Sequence, residues 1–390
     1  MSTQTTLDLL KTLIGFDTTS RNSNIELIRF IQALLAEHGI ESMLLPDATG
    51  HKANLLATIG PTDKPGVMLS GHTDVVPVDG QDWTKPAFSM TVENNRAYGR
   101  GTADMKGFVA SALYIAIQAS KETLETPLHL AFSFDEEVGC LGVHSLLEQL
   151  RSASVTPLMC IVGEPTGLKI ANGHKGKVAL TAKCVGSAGH SALAPQSLNA
   201  IHLACDFIQM LRKQQEIIRQ THAQDCDYSV PYTTVHVGKI SGGIALNIVP
   251  EHCTLEFEIR NIAQDSVQHC LDEISAQADL LVQEHRQTHP EAEIQISQNF
   301  AYPGLLTPAH APVVEFVKSL TRQNDTIKVA FGTEAGLFDE QVGIPSVVCG
   351  PGSMAQGHKA DEYIEIEQLN QCDAMMQKLL QHLVDGITLN

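Results

Sequence analysis

Apolar residues recur at helical spacing over residues 7–16, and again behind Ser23 or Asn24. Either of these can cap an amphipathic helix that runs through Glu37 and stops at Gly39. Short apolar runs at residues 54–59 and 67–70, separated by the Gly60-Pro61 turn, predict strands. The pattern then alternates: helix at 105–119, strand at 128–134, helix at 142–150, buried strand at 158–162. Such alternation predicts an α/β layer structure with a mainly parallel central sheet.

The middle of the chain has a different order. Residues 178–185 read as a strand and 199–213 as a helix. Strands at 233–240 and 254–260 flank the Gly242-Gly243 region, followed by a helix at 266–285 and a strand at 292–299. This βαββαβ order is that of a split, ferredoxin-like α+β unit. From Thr307 the α/β pattern resumes, with a helix at 313–321, strands at 328–331 and 344–349, and a last helix at 369–384. The expectation is a discontinuous α/β domain of residues 1–176 and 299–390, interrupted by an inserted domain of residues 177–298.

The length of 390 residues agrees with two domains, and 43% hydrophobic with 18% charged residues is an ordinary globular composition. Twenty-six basic residues against 44 acidic ones leave a net charge of −18, which argues against nucleic acid and anionic membrane surfaces as partners. No apolar stretch has the length of a membrane span, and residues 1–10 carry no basic segment ahead of an apolar core. The nine cysteines are scattered, odd in number and never spaced C-x-x-C, so free thiols and a cytoplasmic location are expected.

Chemistry gathers at the predicted strand ends. Residues 67–70 lead into Gly71-His72-Thr73-Asp74, and residues 130–134 into Asp135-Glu136-Glu137. Residues 160–163 lead into Glu164-Pro165-Thr166, and residues 344–350 lead through a glycine-rich loop to His358. Asp104 stands just before the helix at 105–119. Open α/β sheets bind ligands beyond the carboxyl ends of their strands. Two histidines and three carboxylates suit Zn²⁺ or a similar divalent ion; five ligands exceed one tetrahedral site but serve two metals sharing a bridging carboxylate. Taken singly, Asp104 reads as a helix N-cap and the Asp135–Glu137 run as a solvated loop. The ordered set is what points to a metal centre.

These motifs, with Arg100 to Phe108, Gly332 to Phe338 and Cys349 through Tyr363, resemble the dinuclear zinc aminoacylase and carboxypeptidase family over nearly the whole chain. Within it they are similar to the bacterial subgroup that deacetylates N²-acetyl-L-ornithine. The resemblance implies a zinc-exopeptidase-like catalytic domain, with the inserted domain serving as dimerisation and lid domain of a homodimer. It implies two Zn²⁺ per subunit, with Co²⁺ as a substitute. His72 and Glu164 would hold one metal, Glu137 and His358 the other, and Asp104 would bridge them. Asp74 would accept a hydrogen bond from the second ring nitrogen of His72, and the Asp104–Met105 peptide would be cis.

Glu136, beside a ligand but not needed as one, is the candidate proton shuttle, the role the matching glutamate has in the family. His190 would stabilise the oxyanion across the dimer interface. For an N-acyl amino acid substrate, Arg260 suits capture of the α-carboxylate or, equally, a surface salt bridge. Asn247 and Lys175 are further contacts, and Gly332 and Thr333 would lie beside the acyl group. Glu334 suits either a distal ammonium or a helix cap. A succinyl-diaminopimelate desuccinylase, a broader N-acyl-amino-acid deacylase or metallopeptidase, and a non-catalytic metal-binding protein are the competing readings.

Overall fold

Central strands of almost unbroken apolar sequence need cover on both faces, and here they have it. In this computed structural model, which describes residues 5–388, a nine-stranded sheet forms the first layer. Its order is Ser42–Pro46, Ala53–Ile59, Leu128–Ser133, Val67–His72, Met159–Pro165, Ser346–Gly350, Ile170–His174 and Leu305–Leu306, with Thr326–Val329 beside Ile170–His174. The four strands from Leu128–Ser133 to Ser346–Gly350 are mutually parallel. The pairings from Ser42–Pro46 to Leu128–Ser133, and the one onto Ile170–His174, are antiparallel. The sheet is therefore mixed, parallel at its centre and not throughout. One reason is local: the short link between Ser42–Pro46 and Ala53–Ile59 permits only a hairpin.

Helix Lys106–Ala119 is buried on nearly every side, between the sheet and helices Thr6–Ile14 and Ile366–Asp385. Its Phe108 ring lies where a Cβ on Gly163 would stand, 1.9 Å away, so only glycine lets the helix seat beneath the end of Met159–Pro165. Asn24 precedes helix Ile25–Glu37 without a side-chain cap bond. Its amide instead exchanges two hydrogen bonds of 2.9 Å with the backbone of Ala53, tying that helix to the sheet.

The described chain divides into two compact units. The first runs up to Gly173 and adds Leu305–Lys328 and everything from Thr333. The second is His174–Gly304 with Val329–Gly332. Each has its own core, around Leu69, Phe108, Leu113 and Ile161 in the first and around Leu180, Phe207, Phe257 and Ile274 in the second. In the second unit a four-stranded antiparallel sheet has the order Thr234–Gly242, His252–Arg260, Lys177–Val185, Glu293–Tyr302. Alternate residues of its two middle strands are buried against helices Ala200–Thr221 and Val267–Arg286.

Candidate metal centre

Because the central strands are parallel, their carboxyl ends share one edge, and the charged side chains collect there. His72 closes strand Val67–His72, and Glu164 is the penultimate residue of Met159–Pro165. Glu136 and Glu137 follow Leu128–Ser133 across a turn in which Asp135 adopts φ +56°. His358, at φ +60°, lies in the loop after Ser346–Gly350. Asp104 stands before helix Lys106–Ala119, and its bond to Met105 is cis.

These side chains converge. His72 Nε2 is 3.2 Å from Asp104 Oδ1 and 3.6 Å from Glu164 Oε1. His358 Nε2 is 3.0 Å from Asp104 Oδ2 and 3.0 Å from Glu137 Oε2. The two oxygens of Asp104 thus face two different histidines, and each histidine has one further carboxylate beside it. The ligand atoms of His72, Asp104 and Glu137 lie within 4.8 Å of one another, as do those of His72, Glu136 and Glu164. The His72, Asp104 and Glu164 side chains are almost fully enclosed, whereas that of His358 is 48% exposed and forms the open side.

So many acids in one enclosure disturb each other's protonation. Burial, then the charge of Asp104, pushes Glu137 up to about 7. The same two causes in the same order hold Glu164 well above the carboxylate range. Burial also raises Glu136, with the charge of Glu137 adding to it against the opposing pull of His72. Burial would raise Asp104 too, but hydrogen bonds from His358 and His72 outweigh it and hold this carboxyl below its usual range. Hydrogen bonding to Asp104, then to Glu137, lifts His358 to about 10. The enclosure holds more carboxyls than imidazoles, and Glu137 Oε1 is buried without a hydrogen-bond partner. Divalent cations would satisfy both, so the donor set fits two metal ions.

Asp74 departs from its expected role. The Nδ1–H of His72 donates to the backbone carbonyl of Asp74 at 2.9 Å, while the Asp74 carboxylate lies 3.6 Å from that nitrogen. The carboxylate serves the neighbouring loop: it accepts from the backbone N–H of Glu136 at 3.1 Å and of Glu137 at 3.3 Å, and from Ser20 Oγ at 2.7 Å. A strand-end carboxylate caps an acidic turn because the turn's amides are otherwise unsatisfied.

Several residues here have no part in the sequence-based expectations. Arg100 and Glu362 pair in the interior, and Glu362 Oε1 accepts from the backbone N–H groups of Ala103 and Asp104 at 2.9 and 3.1 Å. Lys106 Nζ, also buried, donates to the carbonyls of Leu13 at 3.1 Å and Phe16 at 2.9 Å. Opposite charges inside two ligand-bearing motifs, Arg100 to Phe108 and His358 to Glu362, were the available signal.

The remaining expected residues are distributed between the units. Thr333 and Glu334 belong to the first. Thr333 Oγ1 accepts from Ala335 N at 3.0 Å and caps helix Ala335–Val342. Glu334 is the N-cap residue of that helix but makes no side-chain cap bond. It is 1% exposed, and burial pushes it up to about 7 against the opposing hydroxyls of Ser133 and Ser70, which stand beside it without forming well-aligned hydrogen bonds. Lys175, His190, Asn247, Arg260 and Gly332 belong to the second unit. Arg260 donates from Nη1 to the Tyr302 hydroxyl at 3.1 Å and from Nε to Glu258 at 3.1 Å. Lys175 Nζ donates to the Tyr232 carbonyl at 2.6 Å, and Gly332 packs flat on the Tyr302 ring. His190 and Asn247 are exposed.

Residues 68–382 match the model of peptidase family M20/M25/M40. The chain is 34% identical over 388 residues to an acetylornithine deacetylase of Myxococcus xanthus, covering 97% of this chain and 97% of that one. It is 32% identical over 369 residues to an acetylornithine deacetylase of Edwardsiella ictaluri, covering 92% and 91%. In fold it is similar to an M20-family metallo-carboxypeptidase from Sulfolobus solfataricus, with a TM-score of 0.77 at 19% identity over 98% of this chain and 99% of that one. Fold, site and relatives together define a metal-dependent hydrolase. The chain belongs to peptidase family M20/M25/M40.

Proposed function

We propose that this enzyme hydrolyses the amide of N²-acetyl-L-ornithine to acetate and L-ornithine, the deacetylation step of arginine biosynthesis. The observation that carries the reading is Asp104, whose two carboxylate oxygens each face a histidine, His72 on one side and His358 on the other. With Glu164 completing one position and Glu137 the other, this is the donor set for two Zn²⁺, for which Co²⁺ can substitute. Two such ions, when bound, acidify a water molecule and polarise the acyl carbonyl.

The chain's own groups supply the rest. Glu136 is assigned to take the water's proton and return it to the leaving amine; a carboxyl raised above its ordinary range suits both transfers near neutral pH. Asp74 holds the Glu136 and Glu137 backbone in place and acts through them. Arg260, Asn247, Lys175, Gly332 and Thr333 are assigned to the substrate. Arg260 presents a guanidinium for the α-carboxylate, with Tyr302 steadying one Nη. Glu334, a buried carboxyl with no cation beside it and only the Ser133 and Ser70 hydroxyls near, is assigned to the distal ammonium of ornithine.

His190 is assigned to the oxyanion, acting from the partner subunit of a homodimer. Gly189–His190 pairs with Ile248–Val249, and the adjoining segment leaves Ile244 at 87% and Leu246 at 101% exposure. Exposed apolar residues beside an exposed histidine support an interface through the second unit. A cytoplasmic location is in keeping with nine free cysteines.

Steady-state kcat/KM on N²-acetyl-L-ornithine and on N-succinyl-diaminopimelate tests the substrate. Acetylornithine should lead by at least ~10²-fold, since the succinyl substrate brings a distal carboxylate and a charged acyl group into a pocket already lined by carboxylates. Comparable values for both, or preference for the succinyl substrate, would overturn the assignment.

A further inference from the structure

Away from the acidic enclosure, a second group of metal-ligand side chains converges wholly within the second unit. It lies where the end of helix Ala200–Thr221 meets the start of helix Val267–Arg286. His222 is the C-cap of the first helix, Asp265 precedes the N-cap of the second, and Cys270 is in that helix's opening turn. His222 Nδ1 is 3.0 Å from Asp265 Oδ1 and 3.7 Å from Cys270 Sγ, and Sγ is 3.9 Å from Asp265 Oδ2. Cys270 is fully buried, and the side chains of His222 and Asp265 are 5% and 7% exposed.

These separations lie within a few tenths of an ångström of those in a tetrahedral metal site. Tetrahedral zinc with Zn–S near ~2.3 Å and Zn–N or Zn–O near ~2.0 Å sets neighbouring ligand atoms roughly 3.3–3.6 Å apart. Small side-chain rotations bring the three atoms onto that spacing. The other imidazole nitrogen completes the arrangement. His222 Nε2 lies 3.1 Å from Glu273 Oε2, and that carboxylate also takes the Gln214 amide at 2.8 Å. A carboxylate on the far nitrogen is what fixes and strengthens a histidine ligand. The His269 ring stacks on His222 at 5.3 Å, closing the remaining side.

We propose that His222 Nδ1, an Asp265 oxygen and Cys270 Sγ form a site for a thiophilic divalent cation, Zn²⁺ above all, separate from the centre around Asp104. The ion pins one helix end to the next helix start. Binding displaces the thiol proton of Cys270 and any proton on Nδ1, each released to solvent. Because Cys270 binds as a thiolate, occupancy weakens as pH falls.

Loading the full chain with Co²⁺ tests this, because the Asp104 centre offers only nitrogen and oxygen. The wild type should show a thiolate-to-cobalt charge-transfer band in the near ultraviolet. Cys270→Ser and Asp265→Asn should lose it, while Cys140→Ser, altered at the thiol near Glu136, should keep it. Retained hydrolysis by Cys270→Ser and Asp265→Asn reports an intact fold. Should those variants fail to fold, the zinc content of the wild type in chelator-buffered solution decides, with three ions per chain expected. No charge-transfer band in the wild type with two zinc ions at most, or a band that survives Cys270→Ser, would overturn the site and leave His222 as an imidazole held between two carboxylates.

Discussion

Arg100 Nη1 and Glu362 Oε2 form a buried ion pair at 2.6 Å, and the second oxygen of Glu362 receives the backbone N–H groups of Ala103 and Asp104. The Asp104 carboxylate therefore stands on a backbone held by a residue outside the candidate ligand set. Glu362→Gln keeps the shape but turns an amide N–H toward donors that need an acceptor. The expected result is a loss of metal affinity of about 10–100-fold, with kcat at saturating metal changed only a few-fold. Titration of the metal-stripped variant in buffered zinc measures it, and wild-type affinity would show that the pair does not position Asp104.

Glu136→Gln removes the proposed proton shuttle and leaves the candidate ligands in place. Turnover should fall by roughly 10²–10⁴-fold while metal content is unchanged. Near-wild-type kcat with both metals bound would remove Glu136 from the chemistry.

Four of the five candidate ligands were legible because each follows a short apolar run that reads as a strand, and parallel strands carry their ends to one edge; Asp104 was legible only from its place before a helical pattern. The support beneath them was not. Arg100 and Glu362 are 262 positions apart, and their opposite charges inside two motifs are a signal that does not by itself say the two meet. The resemblance implies that Asp74 serves the ring of His72, yet its carboxylate turns to the amides of Glu136 and Glu137. Strand Ser42–Pro46, helix Ala335–Val342 and the three-residue strands Thr91–Glu93, Arg96–Tyr98 and Tyr363–Glu365 are too short for a period to show. Helix Ala200–Thr221 outruns its expected end at residue 213 because Ile218, amid polar residues, still reaches the core.

Glu334→Gln tests substrate choice. Losing a charge-assisted contact should raise KM for acetylornithine by about 10–100-fold, and should hardly change the kinetics of an N-acetyl amino acid with a neutral side chain. Equal losses on both substrates would assign Glu334 to the fold and not to the ammonium.

His129 is partly buried, its Nδ1 2.9 Å from Thr58 Oγ1, and burial lowers it to about 4 from the ordinary 6.5. The unfolded chain thus binds the proton first as pH falls. Stability from this group is complete above about pH 6.5 and is lost progressively down to about pH 4. Between about pH 7.5 and 5 the loss should be about 2 kcal/mol, and His129→Gln should lack it. Urea midpoints of both proteins at the two pH values measure the difference; parallel losses would contradict it.

The most direct measurement is amine release from N²-acetyl-L-ornithine by chelator-stripped enzyme as Zn²⁺ is returned, with Asp104→Asn alongside. The stripped wild type should be inactive, recover with added metal, and reach full rate when both positions facing Asp104 are filled, whereas Asp104→Asn should not recover. Full activity of the stripped enzyme, or equal recovery by Asp104→Asn, would contradict a metal pair bridged by Asp104 as the seat of the reaction.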